Sequence, residues 1–364
     1  MPMPNAALVD SLEPRRLFAA LTAGVTATTS VSSAKPVKRW TIDLEAGQVV
    51  YVAAGTSGDS AFAPLLVLVR PDGKTLTRAA GRRGAIIGRT APVSGTYTVR
   101  LQDNAAALRR GDVSVTAVFA GDTDITDSDD GRTVVSGLHY TGGIGPGDLD
   151  VWRIDATSGQ YLEGSIIESI KNSPIGVGYA VIKPDRTLGE SGESINDQYP
   201  SEASFEFGRQ QRTQGGSYYV VVYEPTGHAR GRYDFGAAVA PGTQPTDDPD
   251  TQQPLGTKGR RTGTLLLADY DVFRVDLKKG QTLTADARLT LYDTGVPYAQ
   301  IISPDGHDIS RDENGWQGGS GDDLVEYDIS AVAATNGTYY VLVTGGNRTK
   351  GGQPYELDYS VFKA

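Results

Sequence analysis

The chain has no cysteine, and only three histidines and two methionines occur among its 364 residues. Without cysteine there is no disulfide framework, no thiolate zinc site and no cysteine nucleophile. The histidines are His139, His228 and His307. They are far apart in sequence and are not spaced as metal ligands or as a base with a nucleophile. We therefore predict that each is an ordinary surface or loop residue.

Basic charge and long apolar runs are also scarce. The 44 acidic and 34 basic side chains give a formal charge of −10, which argues against nucleic-acid binding because that requires a basic face. No apolar run approaches the roughly 20 residues that span a bilayer. The nearest is Leu17–Ala27, which follows Arg15 and Arg16 and precedes a stretch of small residues. That order is typical of an export signal; the alternative is a disordered tail.

The chain contains three copies of one sequence unit. The stretches WTIDLEAGQ (40–48), WRIDATSGQ (152–160) and FRVDLKKGQ (273–281) align without a gap. In each copy a proline turn, a strand that begins Gly-Thr/Ser-Tyr and a final alternating run follow in the same order. Apolar residues at every second position, with turn residues about every ten, predict short antiparallel strands.

Each recurring residue has a predicted local role. The aspartate at the strand end is expected to accept backbone N–H groups from the turn, and the glycine four residues later to take a positive φ. The tyrosine is expected to bury its ring and to bond its hydroxyl to nearby backbone. The residues concerned are Asp43, Asp155 and Asp276, then Gly47, Gly159 and Gly280, then Tyr97, Tyr218 and Tyr339. In the second proline turn Arg186 replaces a glycine, so that turn is expected to be strained or differently shaped.

These patterns predict an all-β protein of three tandem antiparallel β-sandwiches. The predicted divisions are 1–36 (export signal or disordered segment), 37–120 (first and most divergent sandwich), 121–131 (acidic linker), 132–240 (second sandwich), 241–257 (Pro-rich linker) and 258–364 (third sandwich). Both linkers are rich in acidic residues, and the second also in Pro, Thr and Gln. We therefore expect flexible, extended linkers that separate the sandwiches as beads on a string.

The repeats resemble the bacterial pre-peptidase C-terminal (PPC) domain. Copy three matches its pattern with DYDVFRVDLKKGQTL, ISPDG, GTYYVLV and YELDYSV, and copy two with DLDVWRIDATSGQYL, KPDRTL and GSYYVVV. Copy one departs from it, with lysines in AKPVKRW where the others have Asp-x-Asp. The resemblance implies a jelly-roll-like sandwich, export and an accessory role beside secreted hydrolases. The segment SLEPRRLFAA also resembles the LEPR-type N-terminal segment of planctomycete surface and secreted proteins, which implies secretion.

Calcium is the one cofactor that the sequence favours. Asp148 and Asp150, and Asp269 and Asp271, lie where a loop enters the first core strand of copies two and three. A hard divalent cation takes six to eight oxygens, several of them from carboxylates on closely spaced loops. Further ligand candidates in copy three are Asp312, Glu313, Asp322 and Asp323. The alternative is that alternate aspartates before a strand protect a sheet edge.

Trp316 is the candidate ligand contact. It lies in NGWQGGSGDD, a glycine-rich insertion without a counterpart in the other copies. A tryptophan in such a loop is suited to stack on a sugar ring or to anchor a protein partner. The alternative is that its ring folds back over the sandwich edge.

Sequence motifs of catalysis were sought as well. The chain has no nucleophile elbow, P-loop or dinucleotide fingerprint, and we predict that it is not an enzyme. We expect a secreted or cell-surface accessory or adhesion protein that binds extracellular polysaccharide or a matrix protein. The alternatives are a self-assembling structural subunit of the cell envelope, and a stabilising or secretion module that accompanies a separate secreted hydrolase.

Overall fold

The computed structural model is all-β, which confirms the predicted fold class. It describes residues 18–32, 34–56, 61–104, 109–119, 132–168, 176–194, 202–207, 213–241, 254–266, 268–289, 297–312, 326–345 and 352–363. Every regular element among these residues is a β-strand, and none of them belongs to a helix long and apolar enough to cross a bilayer. The strands form six sheets with antiparallel pairing, except for one parallel pair at an edge.

The first sandwich contains strands β1 to β9. They are β1 (Ala19–Ala20), β2 (Ala27–Val31), β3 (Val37–Leu44), β4 (Val49–Thr56), β5 (Pro64–Val69), β6 (Thr75–Ala80), β7 (Gly84–Thr90), β8 (Gly95–Asp103) and β9 (Gly111–Phe119). One sheet has the order β1-β3-β8-β5-β6 and the other β2-β9-β4-β7. Trp40, Ile42, Phe62 and Tyr97 are among the residues buried between them.

The second sandwich contains β10 to β17. They are β10 (His139–Ile144), β11 (Asp150–Ala156), β12 (Tyr161–Glu168), β13 (Val177–Ile182), β14 (Leu188–Ser194), β15 (Glu202–Phe207), β16 (Gly216–Tyr223) and β17 (Gly231–Ala240). Its sheets have the orders β11-β16-β13-β14 and β10-β17-β12-β15. The core between them is built around Trp152, Tyr233 and Phe235.

The third sandwich contains β18 to β25. They are β18 (Lys258–Leu265), β19 (Tyr270–Leu277), β20 (Gln281–Leu289), β21 (Pro297–Ile302), β22 (Arg311–Asp312), β23 (Glu326–Val332), β24 (Gly337–Gly345) and β25 (Gln353–Lys363). Its sheets have the orders β19-β24-β21 and β18-β25-β20-β23-β22. Phe273, Tyr339 and Tyr355 are buried between them.

The three sandwiches share one strand order. We call the sheet that contains β3, β11 or β19 the front sheet, and the sheet that contains β2, β10 or β18 the back sheet. In each back sheet the first strand pairs with the last strand of the same sandwich, and in each front sheet the strand of the WTID type pairs with that of the GTYY type. The sequence repeat is therefore a structural repeat.

The predicted turn chemistry is partly confirmed. The glycines before the conserved glutamine have φ of 91°, 87° and 80°, and Arg186 has φ 66° beside 80° and 78° for the glycines at its position. The tyrosine hydroxyls donate to backbone oxygens four residues earlier, over 2.7, 3.3 and 3.0 Å.

The prediction for the aspartates at the strand end was wrong. Asp43, Asp155 and Asp276 each accept from a hydroxyl directly opposite on the next strand, at 2.6 to 2.7 Å, because their side chains lie on the outer sheet face. The glutamine side chain accepts the turn N–H instead.

The first sandwich begins well before residue 37. Strand β2 pairs with β9, and β1 pairs with β3. Leu21 and Val31 are 6 % and 2 % exposed in the core. The same arrangement opens the second sandwich, where Val134 is buried and Gly137 bonds to the last strand as Gly24 does. The predicted start was wrong because the apolar stretch that is typical of an export signal also fits a sandwich edge. Cleavage after this stretch, within residues 28–34, would remove β2.

The sandwiches pack on one another, so the expectation of separated beads was wrong for the described residues. The back sheet of the first lies on the front sheet of the second, with an apolar cluster between them. The back sheet of the second lies on the front sheet of the third in the same way. β4 and β13 are buried at every position, as expected for strands covered on both faces. Residues 121–131, and most of 241–257, lie outside the described residues.

Glycines at both joints allow close backbone contact. A Cβ on Gly55 would lie 2.2 Å from backbone atoms of Gly147 and Gly227 in the second sandwich. A Cβ on Gly236 would lie 1.8 Å from the carbonyl oxygen of Ala268 in the third. Since such distances are far below van der Waals contact, only glycine fits at these positions.

Candidate functional site

The first aspartate of each Asp-x-Asp pair closes a turn. In Asp148, one carboxylate oxygen accepts the N–H of Gly145 at 3.2 Å and the other that of Leu149 at 3.0 Å. Asp269 makes the equivalent bonds with Leu266 and Tyr270 at 3.2 and 2.9 Å. The carboxylate oxygens are thus used by the local backbone. Asp148 also accepts from the hydroxyl of a threonine in the first sandwich at 3.2 Å.

The second aspartate lies inside the sandwich core. Asp150 is fully buried on the front sheet, and it accepts a 2.5 Å hydrogen bond from the hydroxyl of Tyr233 on the back sheet. That hydroxyl in turn accepts from the indole N–H of Trp152 at 2.8 Å. The three side chains form a hydrogen-bonded chain between the two sheets, which stabilises a polar group that is costly to bury alone.

The repeats support this structural role. Asp271 and Tyr355 occupy the positions of Asp150 and Tyr233 in the third sandwich, and both are fully buried. In the first sandwich the same two positions hold Lys38 and Val113. Aspartate and tyrosine are thus both present in the second and third sandwiches, and both are replaced in the first. A buried aspartate thus occurs at this position only in the two copies that also bury the tyrosine.

Among the residues that the structure describes, the predicted calcium ligands are not gathered into one site. In the described part of the chain no three His, Asp or Glu side chains are grouped to hold a metal ion. Asp148 and Asp269 bond to turn N–H groups and Asp150 to Tyr233, while Asp271 is buried at the repeat position of Asp150. The added candidates Glu313, Asp322 and Asp323 lie outside the described residues, as does the side chain of Asp312. The calcium site stays a prediction.

Trp316 also lies outside the described residues, so its predicted ligand contact is untested.

The histidines are in three separate surroundings. His139 on β10 bonds to Asp234 on β17 over 2.7 Å, and His307 lies in a proline turn with Nδ1 3.2 Å from the carbonyl oxygen of Asp305. His228 lies beside a cleft.

That cleft is the candidate binding site, and it lies where the first two sandwiches meet. Its volume is about 620 Å³, within the range of small-ligand sites. Tyr51 on β4 and Tyr223 on β16 line it from opposite sandwiches, with ring centroids 5.8 Å apart. Arg82 and Glu193 add a cation and a carboxylate, and His228 an imidazole. Sequence reasoning missed this site because its residues come from two modules.

The two tyrosines remain hydroxyl donors. The hydroxyl of Tyr223 donates to Glu193 Oε1 at 3.1 Å. Burial, followed by the charge of Glu193, raises the pKa of both Tyr51 and Tyr223 above the usual value of a phenol. Since a negative phenolate is disfavoured beside a carboxylate in a desolvated place, both hydroxyls stay protonated at neutral pH.

One wall of the cleft is a rigid loop, residues 224–229. The buried carboxylate of Glu224 accepts the N–H groups of Thr226, His228 and Ala229 at 3.0 to 3.1 Å, and also the hydroxyl of Thr226. Because that hydroxyl gives its hydrogen to Glu224, it accepts from His228 Nδ1, which lies 2.7 Å away. The proton is therefore assigned to Nδ1, and in the neutral ring Nε2 is an acceptor.

Comparison with known proteins yields no close relative. No protein-family model and no curated protein sequence matches the chain. Among solved structures, tripeptidyl peptidase 2 aligns with a TM-score of 0.21 at 8 % identity, over 90 % of this chain and 34 % of that one. The chain thus spans about a third of that protein. The Sulfolobus turreted icosahedral virus structure aligns with a TM-score of 0.17 at 10 % identity, over 94 % and 85 %. TM-scores this low carry no argument about function.

Proposed function

We propose that this chain is an extracellular, non-enzymatic adhesion or accessory protein that binds a segment of polysaccharide in the cleft between its first two sandwiches. The observation that carries the proposal is the set of polar groups in that cleft. Glu193 offers an acceptor, Arg82 offers donors and His228 a ring nitrogen, while the Tyr223 hydroxyl, which gives its hydrogen to Glu193, offers its oxygen as an acceptor. A sugar presents adjacent hydroxyls that donate and accept at once, which such a mixed set matches.

The rigidity of the frame supports the same proposal. The cleft lies between two sheets joined by an apolar cluster, and its loop is fixed by Glu224. A preformed cleft avoids the entropy cost of ordering a loop on binding. The export-like N-terminal pattern and the LEPR-type segment support a location outside the cell, where polysaccharide is found.

The test is binding to insoluble polysaccharides and to collagen, followed by calorimetry with oligosaccharides from the polymer that binds. We expect saturable binding to a polysaccharide by the monomer. Glu193→Gln should weaken it roughly tenfold, the cost of one hydrogen bond to a charged group. The matched control is Glu190→Gln on the same strand. Glu190 bonds to Tyr179 at 3.0 Å outside the cleft, so its substitution should leave affinity unchanged.

Three results would contradict the proposal. Equal loss of affinity in Glu193→Gln and Glu190→Gln would place binding elsewhere. Saturable binding to collagen alone would make the partner a matrix protein. Release of soluble sugars, abolished by a single carboxylate substitution, would make the chain an enzyme.

A further inference from the structure

Each internal joint of the stack is made in the same way, and two sheet faces take no part in either joint. A back sheet packs on the front sheet of the next sandwich, first between sandwiches one and two and then between two and three. Among the described residues this leaves the front sheet of the first sandwich and the back sheet of the third without a partner sheet. The two free faces are thus the repeat counterparts of the two sheets that meet in each internal joint.

The free front sheet carries a row of arginines. Arg39 on β3 lies opposite Arg100 on β8, Arg100 lies opposite Val67 on β5, and Val67 lies opposite Arg78 on β6. Residues directly opposite in a sheet share a face, so all three guanidinium groups lie on the outer side. We call this surface the basic face.

The free back sheet carries a row of aspartates. Asp286 on β20 lies opposite Asp358 on β25 and opposite Asp328 on β23. The three line one shallow cleft of about 570 Å³. Two arginines lie among them: Arg260 bonds to Asp358 at 2.7 Å, and Arg288 pairs with Asp286 and Asp358. The bond from Arg260, with the charge of Arg288, lowers the pKa of Asp358 and keeps it charged. We call this surface the acidic face.

These charges occupy positions that are apolar or small in the internal joints. Arg39 and Arg100 hold the repeat positions of Val151 and Val221, which form the first joint. Asp286 holds the repeat position of Ala53, which is part of the same joint. A polar end cap is what any stacked repeat needs for solubility. Solubility alone does not require that basic residues lie at one end of the stack and acidic residues at the other.

The charge of the end modules follows the same division. Residues 18–119 contain 12 basic and 6 acidic side chains, whereas residues 254–363 contain 11 and 15. Like charges opposite each other in a sheet are destabilising, and a guanidinium binds a carboxylate in a favourable bidentate geometry. Contact with the carboxylates of the acidic face would relieve the repulsion between Arg39 and Arg100, which lie directly opposite each other on the basic face.

We propose that this chain associates head to tail with copies of itself, the acidic face of one copy docking on the basic face of the next. A contact between two different patches joins copies head to tail and builds an open filament wherever its rotation does not close a ring. Four strands spaced about 4.8 Å apart and about 25 Å long give roughly 1,000 Å² of total buried area, which is the size of a weak, reversible contact. This proposal does not depend on polysaccharide binding in the cleft.

The experiment is sedimentation velocity of the full chain over a concentration series at low and high salt. We expect reversible, concentration-dependent growth at about 20 mM salt that is lost at about 0.5 M, because salt screens surface charges. A basic-face variant, Arg39→Glu with Arg100→Glu, and an acidic-face variant, Asp286→Lys with Asp328→Lys, should each be monomeric. Lys278→Glu with Lys279→Glu, on an exposed turn, should assemble like the natural chain.

Mixing the two variants gives the decisive result. Each keeps one intact face, so the mixture should form a one-to-one dimer and nothing larger. Melting curves check folding, and the milder pairs Arg39→Gln with Arg100→Gln and Asp286→Asn with Asp328→Asn replace any variant that melts early. A natural chain that stays monomeric at low salt, a mixture without dimer, or growth that persists in both variants would overturn the proposal. So would alginate, an acidic polysaccharide, binding a monomer at the basic face.

Discussion

The buried chain Asp150–Tyr233–Trp152 makes a quantitative prediction. Tyr233→Phe removes the one hydroxyl that donates to the carboxylate at 2.5 Å and accepts from the indole at 2.8 Å. Each buried polar group that loses a partner costs about 1–3 kcal/mol, so the loss of unfolding free energy should be about 2–5 kcal/mol. The ring itself stays, so no cavity adds to that figure.

The assay is urea unfolding followed by circular dichroism, with an unchanged denaturant slope as the check that the unfolding unit is the same. The matched control is Tyr218→Phe in the same sandwich. That ring is also buried, but its hydroxyl lies at a partly buried site, where it donates to the backbone oxygen of Gln214 at 3.3 Å and accepts the N–H of the same residue at 2.8 Å. We expect the control to cost about 1 kcal/mol or less.

A double-mutant cycle identifies the partner. Asp150→Leu combined with Tyr233→Phe should cost less than the sum of the single variants by about 1–3 kcal/mol, because removing both partners leaves fewer buried groups unsatisfied. If Tyr233→Phe costs no more than Tyr218→Phe, or if the two single costs simply add, then Asp150 does not depend on Tyr233 and the structural account of the Asp-x-Asp pair is wrong.

Three further predictions concern the stack and the metal. Deletion of residues 1–32 should lower the unfolding free energy of the first sandwich by at least about 3–6 kcal/mol, because Leu21 and Val31 leave the core. Deletion of residues 1–17 should not lower it. Equal melting curves for the two deletions would contradict the positions of β1 and β2 in the sandwich. Gly55→Ala and Gly236→Ala should each loosen a joint and raise the radius of gyration in solution scattering. The control Gly145→Ala, whose Cβ would have no atom closer than 3.6 Å, should leave the radius unchanged. An unchanged radius in all three variants would contradict the close backbone contact at the joints. Calcium at millimolar concentration should leave the melting temperature unchanged if Asp148, Asp150, Asp269 and Asp271 serve only the fold. A rise reversed by a chelator would instead support the predicted calcium site, since a ligand of the native state raises apparent stability.

Sequence reasoning did well where the cause was local. The repeat of Asp, Gly and Gln predicted the strand and turn, and glycine took its positive φ because the turn requires it. Arg186 was expected to be strained from its alignment with two glycines, and it has φ 66°. The role of the glutamine was overlooked, although its recurrence in all three copies was the signal that could have revealed it.

The site depended on contacts that no local pattern encodes. Tyr51 and Tyr223 are 172 positions apart in sequence and meet only because two sandwiches stack. The stacking did leave a trace in the sequence. Strands such as VGYAVI are apolar at consecutive positions rather than at alternate ones, which is typical of a strand covered on both faces. That signal was available and was not used.

The sequence alone determined the three repeats, the all-β class and the positive φ of the recurring turns, because strand alternation and backbone sterics act over a few residues. Only the tertiary structure decided what the aspartates do. Asp150 lies in a core where its partner comes from the opposite sheet, 83 residues away, and Asp148 lies in a turn beside another sandwich. Two carboxylates separated by a single residue therefore have different surroundings, since alternate burial and module packing act over distances that a linear motif does not encode.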